Sequence, residues 1–138
     1  RYAERARRLG LSGRVTLAGP QPDPRPYYGA ADAFVLPTLY DPCPNAALEA
    51  MACALPIVTS TRSGAAELAL ANDAGLVCEP GNADQLATHM RALQDNGVRA
   101  RMGANGRKAM LPLTSVAMTS QLVALYSALM AERLDEAG

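Results

Sequence analysis

The sequence is short of most features that would announce a function. Its 13 basic and 13 acidic residues cancel to a formal net charge of zero, which excludes the basic footprint of a nucleic-acid-binding domain. Three cysteines, Cys43, Cys53 and Cys78, are scattered and odd in number. That count argues against a disulfide framework, and neither they nor the single histidine, His89, stand at zinc-site spacing. No apolar run approaches the roughly 20 residues of a membrane-spanning helix, no secretory leader opens the chain, and no internal repeat or low-complexity segment occurs. The expected setting is a reducing cytoplasm, in solution or at the inner face of the membrane. A length of 138 residues suits one domain with a real core.

What is present is an alternation of helix and strand signals. Arg1–Leu9 reads as a basic amphipathic helix stopped by Gly10, and Val15–Ala18 as a first short strand. Pro20–Pro26 carries four prolines in seven positions and must be loop. A short helix over Tyr27–Ala31 leads to a second strand, Ala33–Leu36, expected to be fully buried. Pro56–Ser60 and Gly75–Cys78 read as a third and a fourth strand, separated by a short helix over Ser63–Leu70. A helix capped by Asn82 or Asp84 runs to Leu93 with Leu86, Met90 and Leu93 as its core stripe. Val98–Met110 is helical despite Gly103 and Gly106, and Thr114–Leu134 forms a long last helix. Apolar strands alternating with helices indicate an α/β, doubly wound, Rossmann-like parallel sheet covered on both faces. In such sheets ligands lie at the carboxyl ends of the strands.

The stretch Tyr40–Ala54, YDPCPNAALEAMACA, sits at one such end. The Asp-Pro and Cys-Pro pairs keep Tyr40–Cys43 out of helix. Pro44 fits the first helical position, and the residues from Asn45 onward are mostly strong helix formers. The first turn therefore offers free N–H groups and the positive end of a dipole, an arrangement suited to an anion such as phosphate. Two carboxylates, Asp41 and Glu49, flank this turn eight positions apart. Glu49, about one turn into an otherwise apolar helix, reads better as a ligand than as a solvated glutamate. Asp41 reads about equally as catalytic or as the shaper of an Asp-Pro turn. Asn45 serves a helix start first and a ligand second. Ser63 and Gly64 lie where backbone could approach phosphate, or simply form a tight turn, and Glu67 reads equally as a residue that holds its loop and as a ligand contact. Arg25 and Arg62 read as solvated, His89 as a surface or boundary residue. The cysteines read as small buried hydrophobes, with Cys43 placed to line the pocket.

The same stretch resembles the Glu-x7-Glu signature of the retaining glycosyltransferases of the GT-B fold (glycosyltransferase group 1, family 4). Neighbouring segments agree with that family in order: Val15–Gly19, Tyr27–Tyr28, Ala31–Thr38, Leu48–Ala52, Leu55–Val58, Ser63–Gly64 with Glu67, Gly75–Val77, and Pro80–Gly81. Asp41 departs from the pattern, standing where the family usually has its first Glu. The resemblance implies that Glu49 accepts hydrogen bonds from the ribose hydroxyls of a nucleotide. It places Asp41 near the donor sugar, as the catalytic residue of the pair. Pro44, the backbone N–H groups of Asn45, Ala46 and Ala47, and Gly64 line the donor site, with Thr38 and Glu67 behind them. The implied chemistry is transfer of a glycosyl group from a nucleoside diphosphate sugar with retention. Neither a metal nor a cofactor is called for, since a helix N-terminus can stabilise part of the leaving diphosphate's charge. A covalent two-carboxylate route of the hydrolase kind is not implied.

Against the family's plan, residues 1–138 read as one partial nucleotide-sugar-binding domain, the C-terminal half of a two-domain enzyme. The Arg and Lys that neutralise the diphosphate and the N-terminal acceptor domain would precede Arg1. The isolated piece is then expected to bind nucleoside diphosphates poorly and to be inactive. Two alternatives stay open: a catalytically dead binding or assembly module, and a sugar-nucleotide 2-epimerase on the same fold. In a sheet ordered 3-2-1-4-5-6, Val15–Ala18 would be strand 3 and Ala33–Leu36 strand 4. The edge of Ala33–Leu36 would be bare and would recruit a strand: either Val15–Ala18 slides into the vacancy within one chain or, the outcome the stiff Pro20–Pro26 loop favours, two chains pair as a homodimer.

Overall fold

The computed structural model describes residues 1–136, with side chains through residue 133. Three strands, β1 (Phe34–Leu36), β2 (Ile57–Ser60) and β3 (Gly75–Cys78), form a parallel sheet in the order β1-β2-β3. Val35 pairs with Val58, and Val58 with Leu76. The central strand β2 is buried at every position, as its run of apolar and small residues requires when both faces are covered. The connections run through α3 (Asn45–Ala52) and α4 (Ala65–Ala71), the βαβ pattern that parallel pairing demands.

One face of the sheet, with Ile57, packs against Tyr28 of α2 (Arg25–Ala30), against Ala47, Ala50 and Met51 of α3, and against Ala65 and Ala69 of α4. The other face, with Val58, meets Leu86 and Leu93, from and just after α5 (Ala83–Ala92), and Met102 of α6 (Asn96–Met110). Helices thus cover both faces, the doubly wound arrangement. α6 also reaches α3 closely: a Cβ on Gly103 would fall on the carbonyl oxygen of Ala54, so only glycine lets the two elements touch there.

Helices α3 and α4 end in the same way, and this turn delivers the chain to β2 and β3. Ala54 and Asp73 are the described non-glycine residues with positive φ, 61° and 48°. The N–H of Leu55 donates to Ala50 O (3.0 Å) and that of Ala54 to Met51 O (3.0 Å); Ala74 and Asp73 donate likewise to Ala69 and Leu70. Each is a Schellman turn, with the residue after the left-handed position buried over the helix end.

Several expectations need correction. Val15–Ala18 is not a strand; it lies outside the sheet with Val15 and Leu17 exposed. A strand needs a hydrogen-bonding neighbour, and none of the described strands runs beside it. Ala33–Leu36 is half-buried rather than fully buried, because β1 lies at the edge of the sheet. Pro44 precedes α3 as its N-cap instead of occupying its first turn. Met90 of the expected core stripe is 49% exposed. Cys43 and Cys53 are exposed and only Cys78 is buried. The last helix, α7 (Ser115–Glu136), buries no described side chain although it carries Val116, Leu122, Val123, Tyr126 and Leu129. No single described helix is long and apolar enough to cross a membrane; α6 and α7 together, bent by 43°, would pass by length and composition alone.

The Schellman turn at Ala54 generates a prediction. An alanine held at positive φ pays a steric cost that glycine does not. Ala54→Gly is expected to raise stability by up to about 1 kcal/mol, offset in part by the greater freedom of glycine in the unfolded chain. Thermal unfolding of the two proteins checks this; a clearly lower Tm for the variant contradicts it.

Candidate functional site

Past its last strand residue, each of the three strands opens into a loop on the same side of the sheet. From β1 the chain runs through Thr38, whose N–H turns back to Leu36 O at 2.9 Å. It then swings outward through Leu39 and Tyr40, both about three-quarters exposed, before meeting β2's loop again. There Asp41 N–H donates to Arg62 O (3.1 Å), and Gly64 N–H donates to Asp41 O (2.9 Å). Asp41 and Ser63 form an isolated parallel bridge, so the β1–β2 pairing resumes beyond the ends of both strands. Gly64 makes this closure sterically allowed. A Cβ there would lie on the carbonyl oxygen of Pro42.

The bridge sets the start of α3. The Asp41 carboxylate accepts the Cys43 N–H at 3.2 Å, an Asx turn that bends the chain into Pro44. The carbonyl of Pro44 takes the N–H of Ala47 (2.9 Å) and of Leu48 (3.3 Å). Having no side-chain acceptor, Pro44 caps nothing else. Among the described residues, the N–H groups of Asn45 and Ala46 have no partner and lie on an exposed turn. The free donors therefore narrow to these two: the Ala47 N–H, expected to face a ligand, is already engaged, and its side chain is fully buried. The free end of an eight-residue helix presents a partial positive charge to whatever occupies the loop.

Glu49 emerges from α3 on the exposed side, while Ala47, Ala50 and Met51 hold the opposite side in the core. One of its oxygens, Oε2, accepts the hydroxyl of Tyr28 at 3.0 Å. Tyr28 comes from α2, is 9% exposed, and sets its ring edge-on to Phe34 of β1, with centroids 6.1 Å apart. Burial, together with the neighbouring Glu49 carboxylate, pushes the Tyr28 phenol up to about 12, so it remains a proton donor across the physiological range. Tyr28 is the member of the site that sequence reasoning missed; a tyrosine among core residues carries a polar tip that needs a partner, and this was the available signal.

The remaining candidates sit around this frame. Gly64 acts through packing, as the close contact of two loops. Glu67 is exposed in the first turn of α4, where its charge complements the helix dipole. Arg25 pairs with Asp23 at 2.8 Å on the surface, and Arg62 is exposed with its carbonyl in the bridge. His89 is half-buried, its Nε2 3.1 Å from the carbonyl of Val77, and Gln85 accepts the N–H of Glu79 at 2.8 Å. These two α5 side chains cover the outer edge of β3. No group of three or more His, Cys, Asp or Glu side chains suited to a metal occurs among the described residues.

The sequence and the fold both have counterparts among known proteins. The family model for glycosyl transferases group 1 matches residues 1–96. The lipopolysaccharide core biosynthesis glycosyltransferase LpsE of Rhizobium meliloti is 33% identical over 104 residues, covering 75% of this chain and 31% of that protein. The O-antigen chain mannosyltransferase B of Escherichia coli is 33% identical over 120 residues, covering 85% and 31%. Among solved structures, sucrose-phosphate synthase from Thermosynechococcus elongatus superposes with a TM-score of 0.83 at 33% identity, over 96% of this chain and 34% of that one. HepE of Anabaena, in complex with UDP, does so with a TM-score of 0.83 at 26% identity, over 92% and 36%. The chain spans about a third of the length of the relatives it matches.

The Asp41–Gly64 bridge carries a prediction. Gly64→Ala places a methyl group against the Pro42 carbonyl, and overpacking of this kind costs about 1–3 kcal/mol. The loop is expected to move before the core does. Amide hydrogen exchange across Leu39–Cys43 should then speed up while that of β2 stays near its original rate, which exchange followed by NMR would measure.

Proposed function

The chain belongs to the group 1 glycosyl transferases, and from that membership we propose that it is the donor-binding part of a retaining enzyme that moves a sugar from a nucleoside diphosphate sugar to an acceptor. The observation that carries this reading is the placement of Glu49 and the free N–H groups of Asn45 and Ala46 on one exposed helix start, beside the strand ends. An acceptor-only carboxylate suits ribose hydroxyls, and the unpaired N–H groups suit a phosphate oxygen. The UDP seen in the Anabaena relative accords with a nucleotide at such a site. The leaving diphosphate gains negative charge as the glycosyl bond breaks, and the dipole of α3 meets that charge without reorganising. Neither a metal nor a cofactor is required in this scheme.

Asp41 is assigned to the transferring sugar. Its Oδ1 also shapes the turn at Cys43, so one side chain serves loop geometry and the reaction. The acceptor domain and further phosphate-neutralising residues are assigned to the rest of a two-domain protein, whose cytoplasmic location would keep the free cysteines reduced and supply sugar nucleotides. The isolated chain is then inactive and a weak nucleotide binder, because one helix N-terminus contributes only about 0.3–1 kcal/mol to an exposed anion. It is also expected to self-associate. β3 has its outer edge covered by α5 side chains, whereas Val35 on β1 has no backbone partner on its outer side among the described residues.

Two substitutions in the full-length protein test the assignments. Glu49→Gln keeps the shape and removes the charge; with hydrogen bonds to a charged group worth roughly 1.5–3 kcal/mol, donor binding is expected to weaken about tenfold or more. Unchanged donor affinity would refute the ribose role. Asp41→Asn retains an oxygen for the Cys43 N–H, so the turn survives while the charge is lost. It is expected to lower kcat with donor KM nearly unchanged. Assays that score both glycosyl transfer and epimerisation of the donor separate this reading from that of an epimerase.

A further inference from the structure

We propose that Tyr28 is a positioning residue for the donor site, holding Glu49 in the orientation that receives the nucleotide's ribose. This rests on the reading of Glu49 given above. An exposed glutamate on a helix surface samples several rotamers, and fixing one of them at the moment of binding costs affinity. Here the choice is made in advance. The phenol of Tyr28 reaches Oε2 from 21 residues away in sequence, at 3.0 Å, leaving Oε1 without a protein partner among the described residues. Tyr28 cannot follow Glu49 into solvent, because its ring is buried and braced edge-on by Phe34 at an interplanar angle of 62°. The order of the sheet's edge is thus passed from β1 through Phe34 and Tyr28 to a carboxylate on α3. A phenol is a single neutral donor, so it orients the carboxylate without cancelling the charge that ribose hydroxyls would meet.

The test uses the full-length protein. UDP, GDP and ADP are titrated calorimetrically, and the tightest binder is compared with its 2′,3′-dideoxy counterpart. Tyr28→Phe keeps the ring and its contact with Phe34 but removes the hydroxyl. It is expected to weaken the ribonucleotide about three- to tenfold and to leave the binding of the dideoxy compound unchanged. In a Glu49→Ala background, Tyr28→Phe should change neither, since the only group it positions is gone. Equal loss for both nucleotides, or the same loss with Glu49 absent, would show a merely structural role and overturn the proposal. If Glu49→Ala weakens the ribonucleotide and Tyr28→Phe does not, the positioning role alone fails. If Glu49→Ala has no effect, or none of the three nucleotides binds, the ribose reading fails first and takes this proposal with it.

Discussion

The backbone pairing between β1 and β2, interrupted and then resumed, is the constraint on which the site depends. The strands separate after Leu36 and Thr59, and the chain makes an outward excursion through Pro37–Tyr40. It then re-engages where Asp41 exchanges hydrogen bonds with Arg62 and Gly64. Because the two loops are tied by main-chain atoms, their spacing is set by peptide geometry rather than by particular side chains, except at Gly64. Only three residues, Pro42, Cys43 and Pro44, separate the bridge from α3, too short a tether to let its first turn wander.

From that anchor the structure uses small residues to bring backbones together. The core side of α3 presents Ala47 and Ala50 with Met51, and that of α4 presents Ala65, Ala66 and Ala69. Short side chains let both helices lie close on the sheet, and Gly103 of α6 meets the α3 terminus directly. The two Schellman turns then supply equivalent exits into β2 and β3. Asp73, at the left-handed position of the second, is further fastened by Asn105, which donates to its carbonyl at 3.1 Å. A polar site is thus carried on a rigid apolar frame, with the exposed loop backed by residues that have no freedom to adjust.

The sheet has two dissimilar edges. Beyond β3, His89 and Gln85 satisfy outward-pointing backbone groups, which protects an edge strand from unwanted pairing. Beyond β1 no described side chain does the same. The apolar positions of α7 are likewise exposed among the described residues.

Much of this was legible in the residues. Gly75–Cys78 forms a strand with the bounds that its sequence suggests, and a helix after the Asp-Pro and Cys-Pro pairs follows from a run of helix formers, though it starts at Asn45 and not at Pro44, since these are local preferences. Asn82 caps α5 by accepting the Gln85 N–H at 3.0 Å, again a short-range bond. Local chemistry also singled out Asp41 and Glu49 as a pair flanking one turn. What it could not decide were the contacts made across the chain. Val15–Ala18 has the composition of a strand, but strand formation depends on a neighbour's backbone and not on its own side chains. Whether Cys53 and Met90 are buried depends on which side of a helix another element covers. The Tyr28–Glu49 bond joins two elements through a sheet edge, and the place of Gly64 is understood only once Pro42 stands against it. Sequence determined the short-range features, such as the strand at Gly75–Cys78 and the Asn82 cap; tertiary structure alone decided which groups meet, because those meetings are made by packing between residues that are distant along the chain.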